Sequence, residues 1–147
     1  MYAINKQANI LIAEDDADDR TLIRDAFSLN GRKDGIQFVN DGQELLNFLS
    51  DKENEDELPD LILMDLNMPR KDGREALREI KNNPVFAQIP VIVMSTSRSE
   101  DDIAATYQLG VNSYIIKPSN FQTLVSSIKN LCAFWLNTSS LPTKSEY

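Results

Sequence analysis

Asp65 follows four large apolar residues, Leu61-Ile62-Leu63-Met64, and precedes Leu66-Asn67-Met68-Pro69-Arg70-Lys71-Asp72-Gly73. An ionised carboxylate behind such a run is costly unless it is paired, hydrogen-bonded or metal-bound, so partners are expected elsewhere in the chain. Three further apolar runs end on groups that can do chemistry. Ile10-Leu11-Ile12-Ala13 meets Glu14-Asp15-Asp16, Val91-Ile92-Val93-Met94 meets Ser95-Thr96-Ser97, and Tyr114-Ile115-Ile116 meets Lys117-Pro118. Gathered at one place, Glu14, Asp15 and Asp65 would repel one another. At about 4 Å each pair costs roughly 1 kcal/mol in water and about 4 kcal/mol at a partly buried effective dielectric. A divalent cation with a taste for oxygen removes that conflict, and Mg²⁺, which keeps several waters, is the natural ion. Asp65 is then available as a nucleophile. The ammonium of Lys117 and the hydroxyl of Ser95 suit the oxygens of a phosphoryl group, so the expected chemistry is phosphoryl transfer to Asp65, with an acyl phosphate as product. Taken singly, Glu14-Asp15 could cap a helix, Ser95 could serve a turn and Lys117 could be a surface charge. Their shared position at strand ends favours the chemical reading.

That convergence requires parallel strands in one sheet. Strands are expected at Asn9 to Glu14, Ile36 to Val39, Leu61 to Asp65, Val91 to Met94 and Ser113 to Ile116, with helices between them and after the last. Helix boundaries follow from Asp16, Asp41-Gly42, an Asp72/Glu75 capping pair and a Ser97/Glu100 capping box, with stops at Asn30-Gly31, Asn82-Asn83-Pro84 and Gly110. The fourth helix is sparsely apolar and is expected to be the least firmly held. The last carries Phe121, Leu124, Val125, Ile128, Leu131 and Cys132 at helical spacing and reaches toward Trp135. Five strands alternating with five helices imply an α/β, doubly wound, flavodoxin-like parallel sheet, and the order 2-1-3-4-5 places the switch point between strands one and three. Glu14-Asp15 and Asp65 then become neighbours.

The 147 residues, 41% of them hydrophobic, suffice for one such core. The expected organisation is a flexible start over 1–8, a domain over 9–132 and a tail over 133–147. A net charge of -8 argues against nucleic acid, and the acid-rich stretch over 50–60 is expected to be a solvated loop. No run is long and apolar enough for a membrane span or a signal core, so a cytoplasmic protein without a membrane partner is expected. Cys132 is expected to be a small core residue. The chain has no histidine, so any phosphohistidine must belong to a partner.

Together, Ile-Ala-Glu-Asp-Asp at 12–16, Leu-Met-Asp-Leu-Asn-Met-Pro at 63–69, Asp72-Gly73, Ser95 and Ile-Lys-Pro at 116–118 resemble the CheY-like receiver domain of two-component response regulators over residues 9 to about 132. The resemblance implies Asp65 as phosphoacceptor, Asp15 as a direct Mg²⁺ ligand, Glu14 as a water-mediated one and the Asn67 carbonyl as a third. It implies that Ser95 and Lys117 hold the phosphoryl oxygens, that Tyr114 moves with Ser95 as a switch, and that the bond before Pro118 is cis. Glu14 stands where Asp is commoner, and Ser119 where an aromatic often follows. The implied role is a signalling switch fed by a sensor histidine kinase, not an enzyme. A receiver that docks without phosphate is the alternative. An aspartyl phosphatase would want a second carboxylate where Asn67 stands. The segment Ala133-Phe134-Trp135-Leu136 with Leu141-Pro142 resembles the tail of stand-alone receivers that serve phytochrome-type sensor kinases. Phe134, Trp135 and Leu136 are too apolar for a free tail, and a homodimer is expected.

Overall fold

Alternate residues of the central strands face opposite sides of one sheet, and this period of two builds two cores from the same apolar runs. The computed structural model describes residues 8–31, 35–54 and 57–142. The order is β1 (Asn9–Ala13), α1 (Ala17–Leu29), β2 (Gly35–Val39), α2 (Gly42–Asn54), β3 (Leu61–Met64), α3 (Gly73–Asn82), a 3-10 turn (Phe86–Gln88), β4 (Val91–Ser95), α4 (Glu100–Gln108), β5 (Ser113–Ile116), α5 (Phe121–Cys132) and a π-helical turn (Ala133–Thr138). The sheet is parallel throughout in the expected order, β2-β1-β3-β4-β5. Leu11, Ile62, Met64, Val91 and Val93 pack with α2 and α3 on one face. Ile10, Ile12, Leu61, Leu63, Ile92 and Met94 pack with α1 and α5 on the other, where Cys132 is also buried.

Helix starts follow local chemistry. The Asp16 side chain accepts the N–H groups of Asp18 and Asp19, Asp41 accepts that of Glu44, and Asp72 accepts that of Glu75. Gly31, at φ 71°, follows the Asn30 cap of α1, and Gly110, at φ 103°, follows the Leu109 cap of α4.

Three expectations need correction. Ser99, not Ser97, caps α4: it accepts the Asp102 N–H, while the Ser97 hydroxyl donates to the Asp102 carboxylate at 2.6 Å. Helix α2 runs to Asn54, so Asp51 and Glu53 are helical rather than loop residues; the rest of that acidic run includes 55–56, outside the described residues, as is the stretch 1–7. Third, no peptide bond among the described residues is cis, so the bond before Pro118 is trans. Trans is the intrinsically preferred isomer. From it, the Lys117 N–H already reaches the Ser95 carbonyl (2.7 Å) and the Lys117 ammonium already reaches the acids.

Candidate functional site

The carboxyl ends of β1 and β3 lie side by side because Ala13 is in register with Met64. One residue further, the Asp65 N–H donates to the Ala13 carbonyl and the Glu14 N–H to that of Val39, both at 3.0 Å. The next side chains therefore start from the ladder rather than from loose loop. Glu14, Asp15 and Asp65 each bring a carboxylate oxygen into a group whose atoms all lie within 4.8 Å of one another. Glu14 is buried, Asp65 half-buried and Asp15 exposed. Beneath them Ile12, Ile23, Leu63 and Met94 form an apolar floor.

Lys117, just past β5, closes the site. Its Nζ lies 2.8 Å from Glu14 Oε1, 2.9 Å from Asp19 Oδ2 and 3.5 Å from Asp65 Oδ2. Burial alone would lower the pKa of this ammonium; hydrogen bonds to Glu14 and Asp19 and the charges of Asp65 and Glu14 outweigh it and raise the pKa. Glu14 is shifted upward, because its burial exceeds the stabilisation it receives from Lys117 and from the Asp16 N–H. A cluster this acidic, served by one ammonium, has the all-oxygen donor set of a divalent cation site, and the residues present fit such an ion.

The other expected residues lie around this centre. The Asn67 N–H donates to Asp65 Oδ1 (3.2 Å), tying the loop after β3 to the carboxylate. Ser95, the last residue of β4, is buried and its hydroxyl accepts the Ser97 N–H. Tyr114 is half-buried on β5 and its hydroxyl donates to the Ser97 carbonyl at 3.0 Å, which links the loop after β4 to β5. Phe134, Trp135 and Leu136 stand apart, on the turn after α5. Trp135 and Leu136 pack against the α1–α5 core, and the Phe134 ring, half exposed, stands edge-on to Trp135 with centroids 5.1 Å apart.

Two features escaped the sequence reading. Asp19, in the first turn of α1, is a partner of Lys117 across 98 positions of sequence, and no local spacing signals that contact. Buried Asp41, read only as a helix opener, also binds Arg70 across 29 positions of sequence, at 2.7 Å from Nε. Arg70 adopts a positive φ of 60° in the loop after Asp65, a conformation non-glycine residues rarely adopt, and this ion pair and the contact with Glu44 hold it there.

Residues 10–129 match the response regulator receiver domain family. The chain is 40% identical over 136 residues to the response regulator Rcp1 of a Synechocystis species, covering 90% of this chain and 92% of that one. Among solved structures it resembles the phosphorylated cyanobacterial phytochrome response regulator RcpA, with a TM-score of 0.86 and 42% identity over 93% of this chain and 99% of that one. The Mn²⁺-bound form of Rcp1 is similar as well, with a TM-score of 0.83 and 40% identity over 92% of this chain and 99% of that one.

Proposed function

The chain belongs to the response regulator receiver family, and from that premise we propose that Asp65 accepts a phosphoryl group from the phosphohistidine of a partner sensor histidine kinase. A carboxylate oxygen of Asp65 attacks phosphorus; the new O–P bond forms as the P–N bond breaks, and its electron pair stays on the partner's imidazole. The observation that carries this reading is the convergence of Glu14, Asp15 and Asp65 within 4.8 Å under a lysine 3.5 Å from Asp65. Glu14, Asp15, Asp65 and the Asn67 carbonyl are the groups that would hold Mg²⁺, which when bound supplies charge to offset the acids and the transferring phosphoryl group. Lys117 and Ser95 hold the phosphoryl oxygens. The domain takes residues 9–132, with 133–147 as a tail.

The same group sets the switch. Movement of the Ser95 hydroxyl toward phosphate pulls on the loop that Tyr114 grips through the Ser97 carbonyl, and so favours a second arrangement of the surface of α4, β5 and α5. The likeness to the cyanobacterial phytochrome response regulator RcpA supports a phytochrome-type kinase as donor. Exposed Phe134, set edge-on against Trp135, is the anchor of a homodimer. Acetyl phosphate with Mg²⁺ is expected to add one phosphate to the full chain, read by intact mass, and none to Asp65→Asn. An unlabelled wild-type chain, or a labelled Asp65→Asn, would overturn the proposal.

A further inference from the structure

Lys117 carries three N–H bonds, and three carboxylates already surround them: Glu14 at 2.8 Å, Asp19 at 2.9 Å and Asp65 at 3.5 Å. A phosphoryl oxygen can reach this ammonium only if one of them gives way. The three are not equivalent. Glu14 and Asp65 belong to the group of acids that could hold a divalent ion, and Asp19 does not. Its side chain reaches into the site solely for Lys117 among the contacts described. Its place is fixed from behind, because its own N–H is bound by the side chain of Asp16 at the start of α1. The carboxylate of Asp19 is also the more solvent-exposed of the two nearer partners, at 37% against 3% for Glu14, so it regains water most easily on release.

We propose that Asp19 is a positioning residue that competes with the phosphoryl group for Lys117 and thereby restrains phosphorylation of Asp65. The inference rests on the phosphoacceptor reading above and deepens it. In the unphosphorylated chain Asp19 draws the ammonium away from Asp65, which is why the Asp65 contact is the longest of the three. With acetyl phosphate as donor, the Asp65 oxygen forms its bond to phosphorus, the bond from phosphorus to the acetyl oxygen breaks, and the electron pair leaves on acetate. The negative charge passing through that step needs Lys117, and Asp19 opposes its transfer of allegiance.

The test is the rate of acetyl phosphate labelling of the full chain at saturating Mg²⁺, followed by intact mass. Asp19→Asn is expected to raise kcat/KM for the donor about fivefold, the size of one unit charge removed from a partly exposed site a few Å away. Asp19→Glu, which restores the charge, should stay within about twofold of wild type. In a Lys117→Ala background the gain from Asp19→Asn should shrink below about twofold, because the effect runs through Lys117. Asp19→Ser serves as a second neutral variant, since the contact of Asp19 with the α1 start is through its backbone. Melting temperatures accompany every variant. Neutral variants that melt like wild type but label at the same rate or more slowly would overturn the proposal, as would an equal gain without Lys117. A wild-type chain that takes no label at all would instead defeat the phosphoacceptor reading itself, so the two failures are distinguishable.

Discussion

Asp41 illustrates how a single carboxylate ties the site to stability. It is buried, caps α2 through the Glu44 N–H at 2.9 Å, and binds Arg70 of the loop that follows Asp65. Burial pushes its pKa up, but the N–H of Glu44 and the guanidinium of Arg70 outweigh that, and the net shift is downward from 3.8. A carboxylate with a depressed folded-state pKa contributes stability above its unfolded value and loses it as the pH falls through the folded one. Asp41→Asn is therefore expected to cost about 2 kcal/mol near pH 7, where it removes the charge that Arg70 and the Glu44 N–H stabilise, and the difference from wild type is expected to shrink as the pH falls below 3.8 through the depressed folded-state value. Urea unfolding across that pH range checks it; a constant difference would show that the Asp41 charge plays no part. Residues of this kind were half legible in the sequence. Asp41-Gly42 signals a helix start, but nothing in the chain's local pattern points to Arg70. Asp19 likewise looks like one more acid on a solvated helix face, and only the placement of α1 beside the end of β5 brings it to Lys117.

The elements were legible to the extent that their signals are local. Leu61–Met64 ends where charge begins, and β3 ends there too. Asp16, Asp41 and Asp72 cap the helices they precede. Where two residues compete for one role, tertiary contacts decide: Ser97 and Ser99 could both cap α4, and the carboxylate of Asp102 takes the Ser97 hydroxyl, leaving the cap to Ser99. The isomer before Pro118 has no sequence signal beyond family resemblance, and here it is trans. The Asp72-Gly73 pair shows a further layer. Its role in turning the chain is visible from the sequence, yet the need for glycine is one of packing between elements. A Cβ on Gly73 would lie 2.5 Å from the Asp65 carbonyl oxygen and 2.7 Å from the Leu66 Cα, backbone atoms that cannot swing aside. The Gly73 N–H also donates to the Leu66 carbonyl at 2.8 Å, so α3 begins pressed against the segment that carries Asp65. Gly73→Ala is expected to cost about 2 kcal/mol and to slow labelling of Asp65 by displacing it. Thermal melting and acetyl phosphate kinetics measure the two effects, and a variant with wild-type values in both would refute the packing argument.

At the scale of the molecule, one sheet splits its strands between two cores and leaves its chemistry on a single edge. Among the described residues no helix is long and apolar enough to cross a membrane. The turn after α5 adds a second surface, where Phe134 is 51% exposed while Leu131 and Cys132 just before it are buried. Removing the tail from before Cys132 would therefore damage the core, and a point change is the cleaner probe. Sedimentation of the full chain is expected to give a dimer, and Phe134→Asp a monomer that still unfolds cooperatively, its melting temperature no longer dependent on protein concentration. A wild-type monomer, or a Phe134→Asp dimer, would contradict the assigned interface. For Asp65 to be free for phosphate, the acids at the strand ends must act as one divalent cation site. Calorimetric titration with Mg²⁺ tests that most directly: the wild-type chain should bind one ion, and Asp15→Asn should bind it at least about tenfold more weakly. Absence of binding to the wild type, or equal affinity in Asp15→Asn, would contradict it.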